Sequence, residues 1–264
     1  MRRAERRAAA LDPLNLIRVM PAEGATISSD IPPPPRWRDC HLRAVIVANG
    51  RLNHPELDRA RLRPDDWILA ADGGLHNALR LGLTPSVVIG DLDSIDPEAL
   101  PALTASGVTL VRHPQRKDET DLELALQYAV LQGAGEIIVL GALGDRWDQT
   151  LANALLLASP RWAATRTWLA DGGQLLTVLH GGQSITLEAP AGTTLSLLPL
   201  AGDALGVRTR GLEYPLSGEA LHFAATRGIS NTLLAPAATV GLERGLLLII
   251  LGGPPAAAPS EVDR

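Results

Sequence analysis

Five short polar clusters hold most of the chemistry that the sequence can offer. They are Asn49–Gly50, Asp72–Gly73–Gly74, Gly90–Asp91–Leu92–Asp93–Ser94, Lys117–Asp118–Glu119–Thr120–Asp121 and Gly144–Asp145–Arg146–Trp147–Asp148. Each lies at the end of an apolar run or a few residues beyond it. If 91–93 continues an extended strand, Asp91 and Asp93 point the same way, with Cα atoms ~7 Å apart, and Leu92 points into the core. Asp72, Asp121 and Asp148 add further carboxylates. Such a set repels itself unless a cation is present. Oxygen donors without a cysteine pair or a clear histidine pair favour Mg²⁺ over zinc. Lys117 and Arg146 are candidate phosphate contacts, and Gly73–Gly74 permits close backbone approach at a helix start. Carboxylates, Mg²⁺ and two cations together suit phosphoryl transfer, which needs positioning and neutralisation of developing charge.

These clusters converge only if the apolar runs become neighbouring strands. Runs at Ala44–Ala48, Trp67–Ala71, Ser86–Ile89, Val108–Val111 and Glu136–Leu140 alternate with helical stretches at Leu75–Leu81, Pro97–Ala105, Asp121–Leu131 and Gln149–Ala158. That alternation predicts βαβ units and a largely parallel sheet covered on both faces. All the carboxyl ends then lie on one edge, where open α/β folds bind ligands. The helix after Thr120 is the best marked. Leu122, Ala125, Leu126, Ala129 and Val130 form its apolar stripe, and Thr120 with Glu123 reads as a capping box. After Arg161 short β-rich runs recur between turns such as Gly172–Gly173 and Gly181–Gly182, which suggests a sandwich. The expected fold class is α/β followed by all-β. Residues 1–40 are expected to form a disordered extension, 41–160 a Rossmann-like parallel-sheet α/β domain, 161–252 a β-sandwich domain and 253–264 a disordered tail.

Plainer readings exist for the same residues. Asp91 and Asp93 suit a turn or a cap, Asp72 and Asp121 suit helix starts, and Arg146 with Asp148 suits a simple ion pair. Trp147 reads as packing, and Asp118, Glu119 and Asp145 as solvated neighbours.

Composition narrows the function classes. With 46% hydrophobic and 20% charged residues over 264 positions, the chain can bury a core. A formal net charge of −5 provides no global field for nucleic acid or an anionic membrane, so neither is expected as a partner. The lone Cys40 excludes an intrachain disulfide and a cysteine-based zinc site, which fits a cytoplasmic location. The longest apolar run, around Leu246–Leu251, is far too short to span a bilayer as a helix. Lys117 is the one lysine among 24 basic residues. No Walker phosphate loop, GxGxxG after a strand or HExxH occurs.

Taken in order, ADGG at 71–74, GDLDSI at 90–95, KDETDLELAL at 117–126 and GALGDRWDQTLAN at 141–153 resemble the thiamine pyrophosphokinase family, as do GLEYPL at 211–216 and RGISNTL at 227–233. The resemblance runs from about Arg43 to Leu251. It implies a kinase-type transferase that moves the pyrophosphoryl group of ATP to the hydroxyl of thiamine, giving thiamine diphosphate and AMP. It also implies an α/β domain followed by a β-sandwich, and a homodimer with thiamine bound between subunits. By that resemblance Asp91, Asp93 and Asp121 hold Mg²⁺, and Asp72 lies beside metal and phosphates. Lys117 falls where the family places a polar metal- or phosphate-contacting residue, and Asn49, Gly73, Gly74 and Thr120 are further cofactor-binding candidates by their place in the polar clusters. Arg146 and Asp148 match a pair near nucleotide and thiamine, and Ser230 and Asn231 match the segment approaching thiamine. Two alternatives remain: a haloacid-dehalogenase-type phosphatase with Asp91 as nucleophile, and a pyrophosphokinase acting on another heterocyclic alcohol.

Overall fold

A computed structural model of the chain describes residues 17–21, 42–144 and 146–252. Most of the expected extension and tail lie outside these residues, as do Cys40 and Asp145. Within 1–40, Ile17–Pro21 forms strand β1.

The first half alternates as its apolar pattern requires. Strands β2 (Arg43–Val47), β3 (Trp67–Ala71), β4 (Val87–Gly90), β5 (Thr109–Arg112) and β6 (Glu136–Leu140) alternate with helices α1 (Pro55–Ala60), α2 (Gly74–Arg80), α3 (Leu100–Ala105), α4 (Asp121–Leu131) and α5 (Trp147–Leu156). The second half is β-rich. It contains β7 (Arg166–Asp171), β8 (Gln174–His180), β9 (Gln183–Glu188), β10 (Thr194–Pro199), β11 (Ala204–Arg210), β12 (Ser217–Leu221), β13 (Asn231–Thr232), β14 (Ala237–Leu242) and β15 (Leu246–Leu251).

Two sheets result. A ten-stranded sheet runs β13-β10-β15-β8-β7-β6-β2-β3-β4-β5, and a five-stranded sheet runs β1-β9-β14-β11-β12. From β7 to β5 every pairing is parallel, and from β7 to β13 every pairing is antiparallel. The α/β half and the β half therefore share one sheet. β7 lies beyond residue 160 yet completes the parallel set, because Thr167–Ala170 is buried on both faces and needs a layer on each.

Strand order fixes where a ligand can enter. Starting from β2, the chain builds outward through β3, β4 and β5, then returns to place β6 and β7 on the other side of β2. The switch point lies between the carboxyl ends of β2 and β6, where neighbouring loops leave in opposite directions and open a crevice. Successive residues of β2 face opposite layers. Ala44 and Ile46 pack with Leu122, Ala125, Leu126 and Ala129 of α4, whereas Val45 and Val47 pack with Ala78 of α2 and Leu81 just after it. The second face continues into the β half. There Leu195, Leu197, Leu247 and Ile249 of the large sheet meet Ile185, Leu187, Val207 and Val240 of the small one.

Candidate active site

The cleft at the switch point encloses about 580 Å³. Asn49, Gly50 and Arg51 follow β2, Asp72 follows β3, and Thr120 and Asp121 begin α4. Gly141–Gly144, Arg146, Gln149, Thr150 and Asn153 form the far wall.

Its acidic side is built by two backbone turns. Asp72, just after β3, has φ +44°, and Leu92 sits between Asp91 and Asp93 with φ +63°. Both lie in the left-handed region, which costs a non-glycine residue on the order of 1 kcal/mol or more. Leu92 offsets that cost by burying its side chain with Ala70, Leu75, Val88, Ile95 and Val108. The strand stops at Gly90, so 91–93 is a turn rather than the extended segment expected from the sequence. The turn still brings the acids together. The Asp93 N–H donates to Asp91 Oδ1 at 3.1 Å, and ligand oxygens of Asp72, Asp91 and Asp93 all lie within 4.8 Å of one another.

Asp121 is adjacent but separately compensated. Lys117 Nζ donates to its Oδ1 at 2.7 Å. Gly90 stands between Asp121 and Asp72: a Cβ there would lie 2.8 Å from Asp72 Cβ and 3.0 Å from Asp121 Oδ1. The described acidic cluster is therefore Asp72, Asp91 and Asp93, with Asp121 paired to lysine at its flank. Gln115 Nε2 donates to Asp93 Oδ2 at 2.7 Å, and this bond, more than any other contact, holds the Asp93 carboxyl below the ordinary carboxylate range.

These residues fit a divalent cation. Asp72 is 7% exposed, and its Oδ1 is buried without a hydrogen-bond partner. A bare buried carboxylate oxygen is costly, and three acids this close repel. A small hard cation answers both, and an all-oxygen donor set suits Mg²⁺.

Other expected residues fall into distinct classes. Asn49 and Thr120 line the cleft. The Thr120 hydroxyl caps α4 by accepting from the Glu123 N–H at 3.2 Å. The Glu123 carboxylate, however, pairs with Arg161 instead of completing the capping box. Gly73 and Gly74 have a packing explanation: a Cβ on Gly73 would strike the Asn49 amide at 2.4 Å, and one on Gly74 the Val47 carbonyl oxygen at 2.0 Å. Arg146 lines the cleft and donates through Nε to Asp148 Oδ1 at 3.2 Å. That pairing lowers the Asp148 carboxyl and raises the Arg146 guanidinium, but Asp148 itself is exposed and absent from the lining. Trp147, read from the sequence as packing, is 76% exposed.

Ser230 and Asn231 lie elsewhere. They sit at the β13 edge, seven strand spacings from β3, on the order of 30 Å away. Ser230 has φ +58°. The Asn231 side chain accepts from the Tyr214 N–H at 3.0 Å and donates to the Tyr214 carbonyl at 2.7 Å, which fastens the two family-like segments together.

Sequence reading missed Asn77, Gln115, Gln149, Thr150 and Asn153. Asn77 Nδ2 donates to the carbonyls of Ala48 at 2.9 Å and Gly50 at 2.7 Å, and so shapes the loop after β2. Asn153 Nδ2 holds the Ala142 carbonyl at 2.7 Å in the same way. For Asn77 and Asn153 the available signal was an amide side chain on the buried face of a helix.

Comparison with known proteins bears on the whole arrangement. Residues 60–169 match the family described as thiamin pyrophosphokinase, catalytic domain, and residues 183–247 match thiamin pyrophosphokinase, vitamin B1 binding domain. Thiamine pyrophosphokinase of Bacillus subtilis is 28% identical over 206 residues, 78% of this chain and 96% of that protein. Thiamine pyrophosphokinase 1 of Oryza sativa subsp. japonica is 29% identical over 226 residues, 75% of this chain and 83% of that protein. The crystal structure of thiamin pyrophosphokinase from Geobacillus thermodenitrificans superposes with a TM-score of 0.72 at 27% identity, covering 82% of this chain and 100% of that one. These matches give the phosphatase and other-acceptor alternatives no support. With six motifs in order, four of them gathered at one cleft, and matches along both halves, the chain belongs to the thiamine pyrophosphokinase family.

Proposed function

We propose that this chain is a thiamine diphosphokinase that transfers the pyrophosphoryl group of ATP to the hydroxyl of thiamine, giving thiamine diphosphate and AMP. The observation that carries this reading is the convergence of Asp72, Asp91 and Asp93 beside a cleft that also holds Arg146 and reaches Asp121 with its Lys117. In a protein of this family, that is equipment for binding a polyphosphate with its cation.

Roles follow from position. Asp72, Asp91 and Asp93 would hold Mg²⁺, and Asp121 is close enough to join them. Mg²⁺, when bound, neutralises charge on the phosphates and orients them. Lys117 and Arg146 meet phosphate oxygens from the two walls, while Asn49, Thr120 and the backbone of Gly50 and Gly144 shape the space around the nucleotide. Asp148 orients Arg146. The thiamine hydroxyl attacks the β-phosphorus in line, AMP departs, and no covalent bond to the chain is needed. Gly73 and Gly74 contribute by letting α2 start tightly against β2.

We take the α/β half as a Rossmann-like nucleotide module and the β half as a sandwich that binds thiamine. The working unit is a homodimer, because Ser230 and Asn231 reach the acids only from a second copy. Apolar surface for that contact is exposed at Trp147, Leu151 and Leu155 on α5, and at Tyr214, Ile229 and Leu234 around β13. We assign the chain to the cytoplasm, with neither nucleic acid nor membrane as partner. No described helix is long and apolar enough to cross a membrane.

Incubation with ATP, Mg²⁺ and thiamine tests the reaction. AMP and thiamine diphosphate should appear in equal amounts. ADP with thiamine monophosphate, or free phosphate alone, would overturn the proposal.

A further inference from the structure

We propose that Lys117 is an exchangeable counter-ion: without nucleotide its ammonium occupies Asp121, and a polyphosphate entering the cleft takes the ammonium over and releases the Asp121 carboxylate to the divalent cation. The inference rests on the nucleotide-binding role proposed above and says how nucleotide and cation are coupled.

Three observations carry it. First, Lys117 Nζ lies 2.7 Å from Asp121 Oδ1, and the lysine side chain is only 12% exposed, so the pair is held in place rather than loose on the surface. Second, Asp121 is beside the acid cluster yet outside it. Its Oδ1 and the Asp72 Cβ flank the same point above Gly90, but the oxygens gathered within 4.8 Å belong to Asp72, Asp91 and Asp93. Third, the other 23 of the 24 basic residues are arginine. A guanidinium would grip a carboxylate with a rigid two-pronged fork. An ammonium is a compact point charge with three rotatable donors, and it can pass from carboxylate to phosphate by rotation of its stem. Lys117 is thus the one basic side chain of the sequence with the chemistry suited to changing partner.

The exchange leaves the charges of Lys117 and Asp121 as they were and alters only their partners. Before nucleotide binds, three acids face the cation; afterwards four do. Nucleotide and cation should therefore strengthen each other's binding, and Lys117 should carry a measurable part of that coupling.

The test is Mn²⁺ binding to the full-length protein, read by the electron paramagnetic resonance of the free ion, with and without α,β-methylene ATP. In wild-type protein the analogue should tighten Mn²⁺ binding. Lys117→Met should bind Mn²⁺ about fivefold or more tightly than wild type in the absence of the analogue, and should gain less from adding it. Asp121→Asn, which retains a polar group at the start of α4, should weaken Mn²⁺ binding only when the analogue is present. A thermal melt of each variant verifies folding. Lys117→Met that binds Mn²⁺ no better than wild type without nucleotide, or Asp121→Asn that loses Mn²⁺ equally in both states, would refute the exchange while leaving the pyrophosphokinase reading intact. An analogue that leaves wild-type Mn²⁺ affinity unchanged would refute the exchange together with the nucleotide role.

Discussion

Gly90→Ala tests whether the spacing of the acids governs activity. The glycine ends β4, and its missing Cβ would stand 2.8 Å from Asp72 Cβ, 3.0 Å from Asp121 Oδ1 and 3.2 Å from Asp72 Cα. Ordinary contact begins near 3.4 Å. The methyl therefore forces Asp72 and Asp121 apart by about half an ångström or more, and Asp72 has little freedom because its N–H is bonded to the Ile89 carbonyl at 2.8 Å. Overpacking on this scale costs about 1–3 kcal/mol of stability, or a fall in melting temperature of about 2–10 °C. The loss in rate should be larger than the loss in stability suggests, because displacement approaching 1 Å in a positioned site can cost on the order of 100-fold. Initial rates of AMP formation across a range of Mg²⁺, alongside thermal melts, measure both. A folded variant with wild-type kcat/KM and wild-type Mg²⁺ dependence would refute the claim that these acids act as a spaced unit.

Gln115→Met removes the donor to Asp93 at nearly constant volume. It should raise the Mg²⁺ concentration needed for half-maximal rate several-fold, by about the worth of one hydrogen bond to a charged group, with kcat recovered at saturating Mg²⁺; an unchanged Mg²⁺ requirement contradicts this. Leu92→Ala should lose about 2–5 kcal/mol in chemical denaturation, because the buried leucine holds a left-handed turn that alanine anchors poorly; a loss below about 1 kcal/mol contradicts it. Asn77→Ala leaves the Ala48 and Gly50 carbonyls without their amide donor, so KM for ATP should rise more than kcat falls, and steady-state kinetics will tell. Asp58, next to Arg61, accepts from the Gly172 N–H at 3.2 Å and is buried, and burial pushes its carboxyl above the ordinary value. Native protein thus binds that proton more readily than the unfolded chain does. Its contribution to stability is full at low pH and declines as pH rises through the raised value. Asp58→Asn should flatten that part of the stability profile, just above the ordinary carboxylate value of ~3.9; denaturation curves parallel to wild type across pH would contradict it.

The α/β half was legible because its signals are local. Strand candidates and β2 to β6 agree within a residue or two, and Asp121–Leu131 is α4 itself, since Thr120 caps it and its apolar stripe is regular. Helix α1 was not legible. Its six residues, PELDRA, have no apolar stripe, and α1 is held from outside by the Asp58 and Arg61 side chains on the Gly172 peptide. Strand β14 was missed because AATVGL has small residues where a strand reader seeks bulk, and its place comes from pairing with β9 and β11. At the site, residue types and order identified the acids, but not which of them cluster. That depends on the left-handed turn at Leu92 and on the capture of Asp121 by Lys117, and neither is visible as spacing. The glycines at 73 and 74 suggested ligand approach, and the sequence alone does not show that the Asn49 amide and the Val47 carbonyl also pack against them.

The most direct test of the central claim is a crystal structure of the protein with Mg²⁺ and α,β-methylene ATP. The account predicts a cation beside the phosphates, bound at ~2.1 Å by carboxylates from the Asp72, Asp91 and Asp93 group, with Asp121 freed to join them. Nucleotide bound at the switch-point cleft with its cation held by other residues, or nucleotide bound elsewhere on the chain, would contradict it.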